Sequence, residues 1–227
     1  MKAAGQAPGT DATRFSPAVP ELRPVPWWGV VSAAAAVVFL VGGCTVATAL
    51  QPSSFNWLAS TVSTLTERGV ADPWVMTAAF AVTGACEIGT ALALRPAAMP
   101  GRLILAAAGA ASVLVAANPE HVGGSPAHGL WAGVTFIALT AWPTGAWRRG
   151  PATPWGLRPA VSAGAVATLL ALLTWYLIEL TGQGAVTGLA ERIMGTAEVA
   201  WPLAVALSCR RPAKQRAPAP SATGGRG

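Results

Sequence analysis

Residues 27–50 read WWGVVSAAAAVVFLVGGCTVATAL, 24 positions without a charged side chain. As an α-helix this run is about 36 Å long, more than the roughly 30 Å hydrocarbon core of a bilayer. An uncharged apolar run of that length is the signal of a membrane-spanning helix. Working outward from it, further apolar stretches follow at 73–94, 103–117, 127–147, 160–180 and 189–208. Pro73 suits the first position of a helix, where its missing N–H costs nothing. The composition agrees, because 53% of the 227 residues are hydrophobic and only 11% are charged. A soluble domain carries about 25% charged residues, so this chain has too little charge to clothe a water-facing surface. The expected fold is therefore all-α: a polytopic bundle of about six transmembrane helices in one domain, 27–211. Residues 1–26 and 212–227, rich in Ala, Pro and Gly or in basic residues, read as disordered tails.

The positive charges set an orientation. Of the 15 Lys and Arg residues, 13 lie in the two tails and in the connections around Arg95–Arg102 and Arg148–Arg158. The alternate connections hold only Arg68 and Arg192. Basic residues accumulate on the cytoplasmic side, which puts both termini in the cytoplasm and fits an even number of spans. The formal charge of +6 thus reads as topology and contact with anionic headgroups, and no nucleic-acid partner is expected. Cys44, Cys86 and Cys209 are too scattered for a disulfide framework and are expected as free thiols. Val41-Gly42-Gly43-Cys44 resembles a bacterial lipobox. The long leading tail and the apolar sequence continuing to Leu50 favour an uncleaved helix instead.

Polar residues collect on the side opposite the arginines. Ser60, Thr61, Ser63, Thr64 and Glu67 fall in the first outer connection, Asn118, Glu120, His121 and His128 in or near the second, and Glu179, Glu191 and Arg192 around the third. Phe55, Leu58, Ala59, Val62 and Leu65 recur at helical spacing, which predicts a helix from Phe55 to Glu67. Such a helix either lies on the outer leaflet or covers a cavity with its hydroxyls. His128 opens the fourth helix, where an imidazole suits general acid–base work or simply sits at a wet helix end. Glu191 and Glu198, seven residues apart, share a helix face. Glu87 lies deep in the second helix with Thr83 and Thr90 on its face. Ionisable groups inside a bilayer are expensive and point to function, or else to a carboxyl held by local hydrogen bonds. Close helix packing is expected at Gly129 and Gly133 and at Ala85 and Gly89, pairs with the small-x-x-x-small spacing.

Several chemistries find no support. There is no nucleotide-binding Gly-x-x-x-x-Gly-Lys-Ser/Thr loop and no Gly-x-Ser-x-Gly nucleophile elbow. Two histidines without zinc-ligand spacing argue against a metal centre. No metal and no cofactor are expected.

The segments Gln51-Pro-Ser-Ser-Phe-Asn with Ser60-Thr-Val-Ser63, Ala71-Asp-Pro-Trp-Val-Met-Thr77, Ser125-Pro-Ala-His128-Gly129, and Gly188-Leu-Ala-Glu-Arg192 leading to Trp201-Pro202 carry a resemblance. In pattern and order the chain resembles the bacterial multi-pass membrane family catalogued as domain of unknown function 998, from about residue 27 to 211. The resemblance implies a bacterial plasma-membrane protein without an assigned activity. Three functions follow from the residues. The simplest is a non-catalytic protein whose partner is the lipid bilayer or another protein. The second is a membrane-embedded hydrolase or transferase on lipid substrates at the outer leaflet, with Ser60 or Ser63 as nucleophile or headgroup ligand, His128 as base and Glu191 as its orienting group. The third is a small proton- or cation-coupled transporter using Glu87 and Glu198. Asn118, Glu120 and Arg192 complete the candidate set for binding a ligand or ion, including a lipid or small molecule at the outer face.

Overall fold

The computed structural model describes residues 24–210. Residues 1–23 and 211–227, which make up nearly all of the two expected tails, lie outside the described residues. Six α-helices form: α1 (Trp27–Ala49), α2 (Pro73–Ala93), α3 (Met99–Ala117), α4 (Pro126–Ala146), α5 (Pro159–Thr181) and α6 (Thr187–Arg210). No strand is present among the described residues. Four of the helices, α1, α2, α3 and α5, are long and apolar enough to cross a membrane. Of the two others, α6 holds Glu191, Arg192 and Glu198, and α4 begins with His128 in its first turn.

Proline punctuates the chain. It occupies one of the first two positions of α2, α3, α4 and α5, where no helical hydrogen bond is lost. Pro143 and Pro202 instead lie inside α4 and α6. Each removes one backbone bond, a local weakness that a packed helix tolerates when neighbours surround it.

The helices pack in chain order, and α6 returns against α1 to close the ring. Backbones approach most closely where glycine removes the side chain. Gly84 of α2 faces Gly109 of α3, and a Cβ on either would run into the other's carbonyl oxygen. At one end of the bundle Gly101 of α3 meets Ala146 of α4 in the same way. Of the small-residue pairs conspicuous in the sequence, only Gly89 makes a close helix contact. A Cβ added to Gly129 or Gly133 would meet nothing within 4 Å. Of Ala85 and Gly89, Ala85 points outward, and Gly89 packs against Ser32. Spacing identifies small residues, but helix rotation decides which of them meet a partner.

Inward and outward faces differ in kind. Large apolar side chains are exposed midway along the helices, Val38 and Ile137 each by more than 60% and Leu170 by 52%. Fourteen polar or charged residues are buried, among them Glu87, His128, Glu191 and Glu198. The chain is thus apolar outside and locally polar inside, the arrangement a hydrocarbon solvent demands.

The arginines between α2 and α3 and between α4 and α5 define one end of the bundle. Arg102 donates to the carbonyls of Ala91 and Leu92 at 2.9 and 3.2 Å, and Arg148 to those of Pro96 and Ala97 at 3.2 and 3.3 Å. They satisfy carbonyls that a helix C-terminus and its following turn leave without partners.

Candidate functional site

The opposite end carries the connections α1–α2, α3–α4 and α5–α6, and here the long segment 51–72 folds inward. It is not the continuous helix expected from Phe55 to Glu67. Only a short 3-10 turn, Ser63–Thr66, forms, within a run of turns. Turn-forming Ser53, Ser54 and Asn56 precede it, and Ser60 N–H already bonds back to the Asn56 carbonyl at 2.8 Å. Of the expected stripe, Val62 and Leu65 are buried, Leu65 completely, while Phe55 and Ala59 are half-buried and Leu58 is exposed. The segment is a strap across the bundle end.

Side chains from four places hold it. Gln51 donates to the carbonyls of Ala47 and Ala71 at 2.8 and 3.0 Å and accepts from Ala71 N–H at 3.1 Å, joining the two ends of the strap. Arg192 Nη1 donates to the carbonyls of Trp57 and Ser60, both at 3.0 Å, and of Gly188 at 2.9 Å. Glu191 accepts from Val62 N–H at 2.7 Å. The Thr66 hydroxyl accepts from Glu120 N–H at 3.1 Å and donates to the Ser63 carbonyl at 2.7 Å. Gly188 lets the strap lie on α6, since a Cβ there would strike the carbonyl of Ser60.

This fixation sets Ser63 against His128. The Ser63 hydroxyl lies 2.9 Å from His128 Nε2, and His128 Nδ1 lies 2.9 Å from the Asn118 carbonyl oxygen. A carbonyl oxygen only accepts, so Nδ1 carries the proton of that bond. In the neutral ring Nε2 is then an acceptor, and the Ser63 O–H donates to it. The residue is 1% exposed, and its backbone N–H joins the Ser125 hydroxyl at 3.3 Å, which caps α4. A hydroxyl donating to an imidazole that a third group orients is the arrangement of a nucleophile and its base.

Two adjacent spaces lie below. A cavity of about 50 Å³ touches Ser63, Glu87, Glu191 and Glu198, but its surface is mostly apolar, from residues such as Val115, Leu139 and Val199. A wider pocket of about 290 Å³ lies between α1 and α6, lined mainly by apolar residues such as Leu40, Val41, Phe80 and Phe136. Leu40, Phe80, Phe136 and Glu191 belong to both.

The candidate residues thus divide. Ser63, His128 and Asn118 meet directly, Asn118 through its backbone, and Glu191 reaches the same cavity while bonding the strap rather than the imidazole. Ser60 takes part only through its carbonyl. Arg192 bonds backbone carbonyls of the strap and α6, and Thr48 at 3.5 Å. Glu120 sits beside the site, where its carboxylate accepts from His121 N–H at 3.2 Å. Glu87 and Glu198 lie deeper in the cavity. Sequence reasoning passes over Thr140, whose hydroxyl donates to Glu198 at 2.8 Å, and Ser112. Their only signal is a lone hydroxyl within an apolar run. No group of three or more His, Cys, Asp and Glu side chains converges with metal-binding geometry among the described residues.

No curated protein and no solved structure matches the chain. A family profile does match, over residues 32–208, from the first turns of α1 almost to the end of α6. The site residues from Ser60 to Glu198 all fall within it, and the chain belongs to the family described as protein of unknown function (DUF998).

Proposed function

We propose that the protein is a membrane-embedded serine hydrolase or acyltransferase acting on a lipid ester at the outer face of a bacterial plasma membrane. The observation that carries this reading is the 2.9 Å contact between Ser63 and His128 Nε2, with the Asn118 carbonyl holding Nδ1 on the far side. Ser63 Oγ attacks the ester carbonyl carbon as its proton passes to His128 Nε2. Collapse of the tetrahedral adduct breaks the ester C–O bond, and His128 returns the proton to the departing alcohol. Acyl-Ser63 then transfers its acyl group to water or to a second alcohol, with His128 taking the acceptor's proton and returning it to Ser63. The apolar pocket between α1 and α6 suits the acyl chain, because it adjoins the Ser63 cavity, with Leu40, Phe80 and Phe136 lining both.

All six helices cross the bilayer in this reading, with both termini cytoplasmic. Exposed Leu130 and Ile137 on α4 and Ile193 and Leu207 on α6 support it, since the outward faces of these two helices are apolar while Glu191 and Glu198 turn inward. The distribution of arginines supports the orientation and puts Ser63 and His128 at the outer leaflet.

The test is turnover of fluorescent phospholipid and acylglycerol esters by the purified protein in proteoliposomes. Wild type is expected to release or transfer acyl chain, and Ser63→Ala and His128→Ala to lose at least about 100-fold in rate, as expected for removing a nucleophile or general base. Equal turnover, or equal absence of turnover, in wild type and both folded variants removes the enzyme reading. The Ser63–His128 contact is then a structural tie in a non-catalytic protein.

A further inference from the structure

The pocket between α1 and α6 changes character along its length. Leu40, Val41, Phe80 and Phe136 wall its deeper part, and at about 290 Å³ it is far larger than the cavity that touches Ser63. Thr48, Trp57 and Arg192 line it toward the His128 end. Thr48 lies about 12 Å along α1 from Leu40. The pocket also opens sideways. Val41 and Thr45, which line it, are exposed on the outward face of α1. On the α6 side, a Cβ added to Gly195 would meet only Leu40, at 3.8 Å. An apolar chain within the bilayer reaches such an opening without crossing water.

Arg192 stands at the polar end with half of its guanidinium uncommitted. Nη1 donates to three carbonyls, whereas Nη2 has one long contact, 3.5 Å to Thr48 Oγ1, and Nε has no partner among the described residues. Nη2 and Nε form one edge of the guanidinium, the edge that pairs side-on with two oxygens of a phosphate. The guanidinium lies beside Cys44 and Thr48, and both line the pocket. Every oxygen that Arg192 bonds, three carbonyls and a hydroxyl, is uncharged. Glu191 lines the pocket as well, but its Oε2 accepts from Val62 N–H at 2.7 Å, on the strap. A guanidinium edge at the end of an apolar, laterally open pocket matches a ligand with a phosphate head and a long apolar tail.

We propose that this pocket admits a phospholipid from the outer leaflet, with an acyl chain between α1 and α6 and the phosphate on the free edge of Arg192. The inference rests on the acyl-transfer reading for the leaflet and for the lipid's role as substrate; binding itself needs neither. It names the substrate class as phosphate-bearing, in preference to neutral acylglycerols.

The full chain, purified in detergent and stripped of lipid, is titrated with dialkyl ether phosphatidylglycerol, which has no ester to turn over, and followed by native mass spectrometry. Dialkylglycerol, which lacks the phosphate, and glycerol phosphate, which lacks the chains, are the comparisons. The ether phospholipid is expected to bind saturably, at least about tenfold more tightly than either comparison. Gly195→Leu puts a side chain into the pocket and raises helix propensity, and it should abolish that binding. Thr45→Trp at the exposed rim takes its place if Gly195→Leu fails to fold. Arg192→Lys should bring the affinity for the phospholipid down toward that for dialkylglycerol. Equal affinity for phospholipid and dialkylglycerol overturns the proposal, as does tight binding that survives in a folded pocket-filling variant. Saturable binding without any turnover of ester lipids supports the site and removes only the acyl-transfer reading.

Discussion

At the His128 end, Arg192, Glu191, Ser63 and His128 each have hydrogen-bond partners, and most of those partners belong to the strap 51–72 or to the α3–α4 connection. Midway down the bundle, Glu87 has no partner for either oxygen and Glu198 has one for only one of its two, among the described residues. The difference follows from what surrounds each group. Irregular backbone at the His128 end offers N–H and C=O groups that charged side chains can bond. In the middle, helices have already consumed their own backbone groups, so only side chains or a bound ligand remain. The first arrangement fixes a geometry; the second leaves buried carboxyl oxygens without donors among the described residues.

Substitutions at the two levels separate these roles. The largest effect is expected from Arg192→Ala, which deletes bonds to the Trp57, Ser60 and Gly188 carbonyls. Bonds to a charged donor are worth about 1.5–3 kcal/mol each and do not add fully, so a loss on the order of 4 kcal/mol is predicted. Unfolding in mixed micelles measures it, and Arg192→Lys should recover only part, because all three carbonyls accept from Nη1 and the shorter lysine side chain does not carry its ammonium as far. Next is Gly84→Ala, which drives a methyl group toward the Gly109 carbonyl and within 2.9 Å of Val113 N. Backbone lies on the far side, so α2 and α3 must part, at a cost of about 1–3 kcal/mol in the same assay. Gln51→Ala releases the two ends of the strap and should cost about 1–2 kcal/mol while raising protease cleavage within 51–72. The smallest effect is expected at Gly129→Ala, which meets nothing within 4 Å and should stay within about 0.5 kcal/mol of wild type. A large loss at Gly129 with none at Gly84 would mean that the helices are rotated differently from the packing described.

The helical architecture is legible because long uncharged runs have few alternatives. The run 27–50 becomes α1 almost unchanged, and Pro73, Pro126 and Pro159 sit where helices start. Ser63 and His128 are legible as residue types on one side of the chain, 65 positions apart, but not as a pair. Their meeting depends on the strap turning inward, which Gln51, Glu191 and Arg192 enforce through backbone groups that carry no sequence signature. The apolar stripe from Phe55 to Leu65 identifies Val62 and Leu65 as buried but implies a helix where turns do the burying. The role of the Asn118 carbonyl has no signature either, since any residue supplies a carbonyl. Glu87 and Glu198 are visible as charges in apolar runs, yet their shared cavity depends on rotations that Ala-rich helices leave unspecified.

The pairing of Ser63 with His128 is probed most sharply by covalent labelling of the purified protein with a fluorophosphonate, read by peptide mass spectrometry. Ser60 serves as the internal comparison, three residues upstream on the same strap and engaged through its backbone. An activated Ser63 should give a single adduct there, absent in Ser63→Ala and strongly slowed in His128→Gln, with Ser60 unmodified. Labelling of Ser60 and Ser63 at the same slow rate, indifferent to His128, would contradict a nucleophile–base pair.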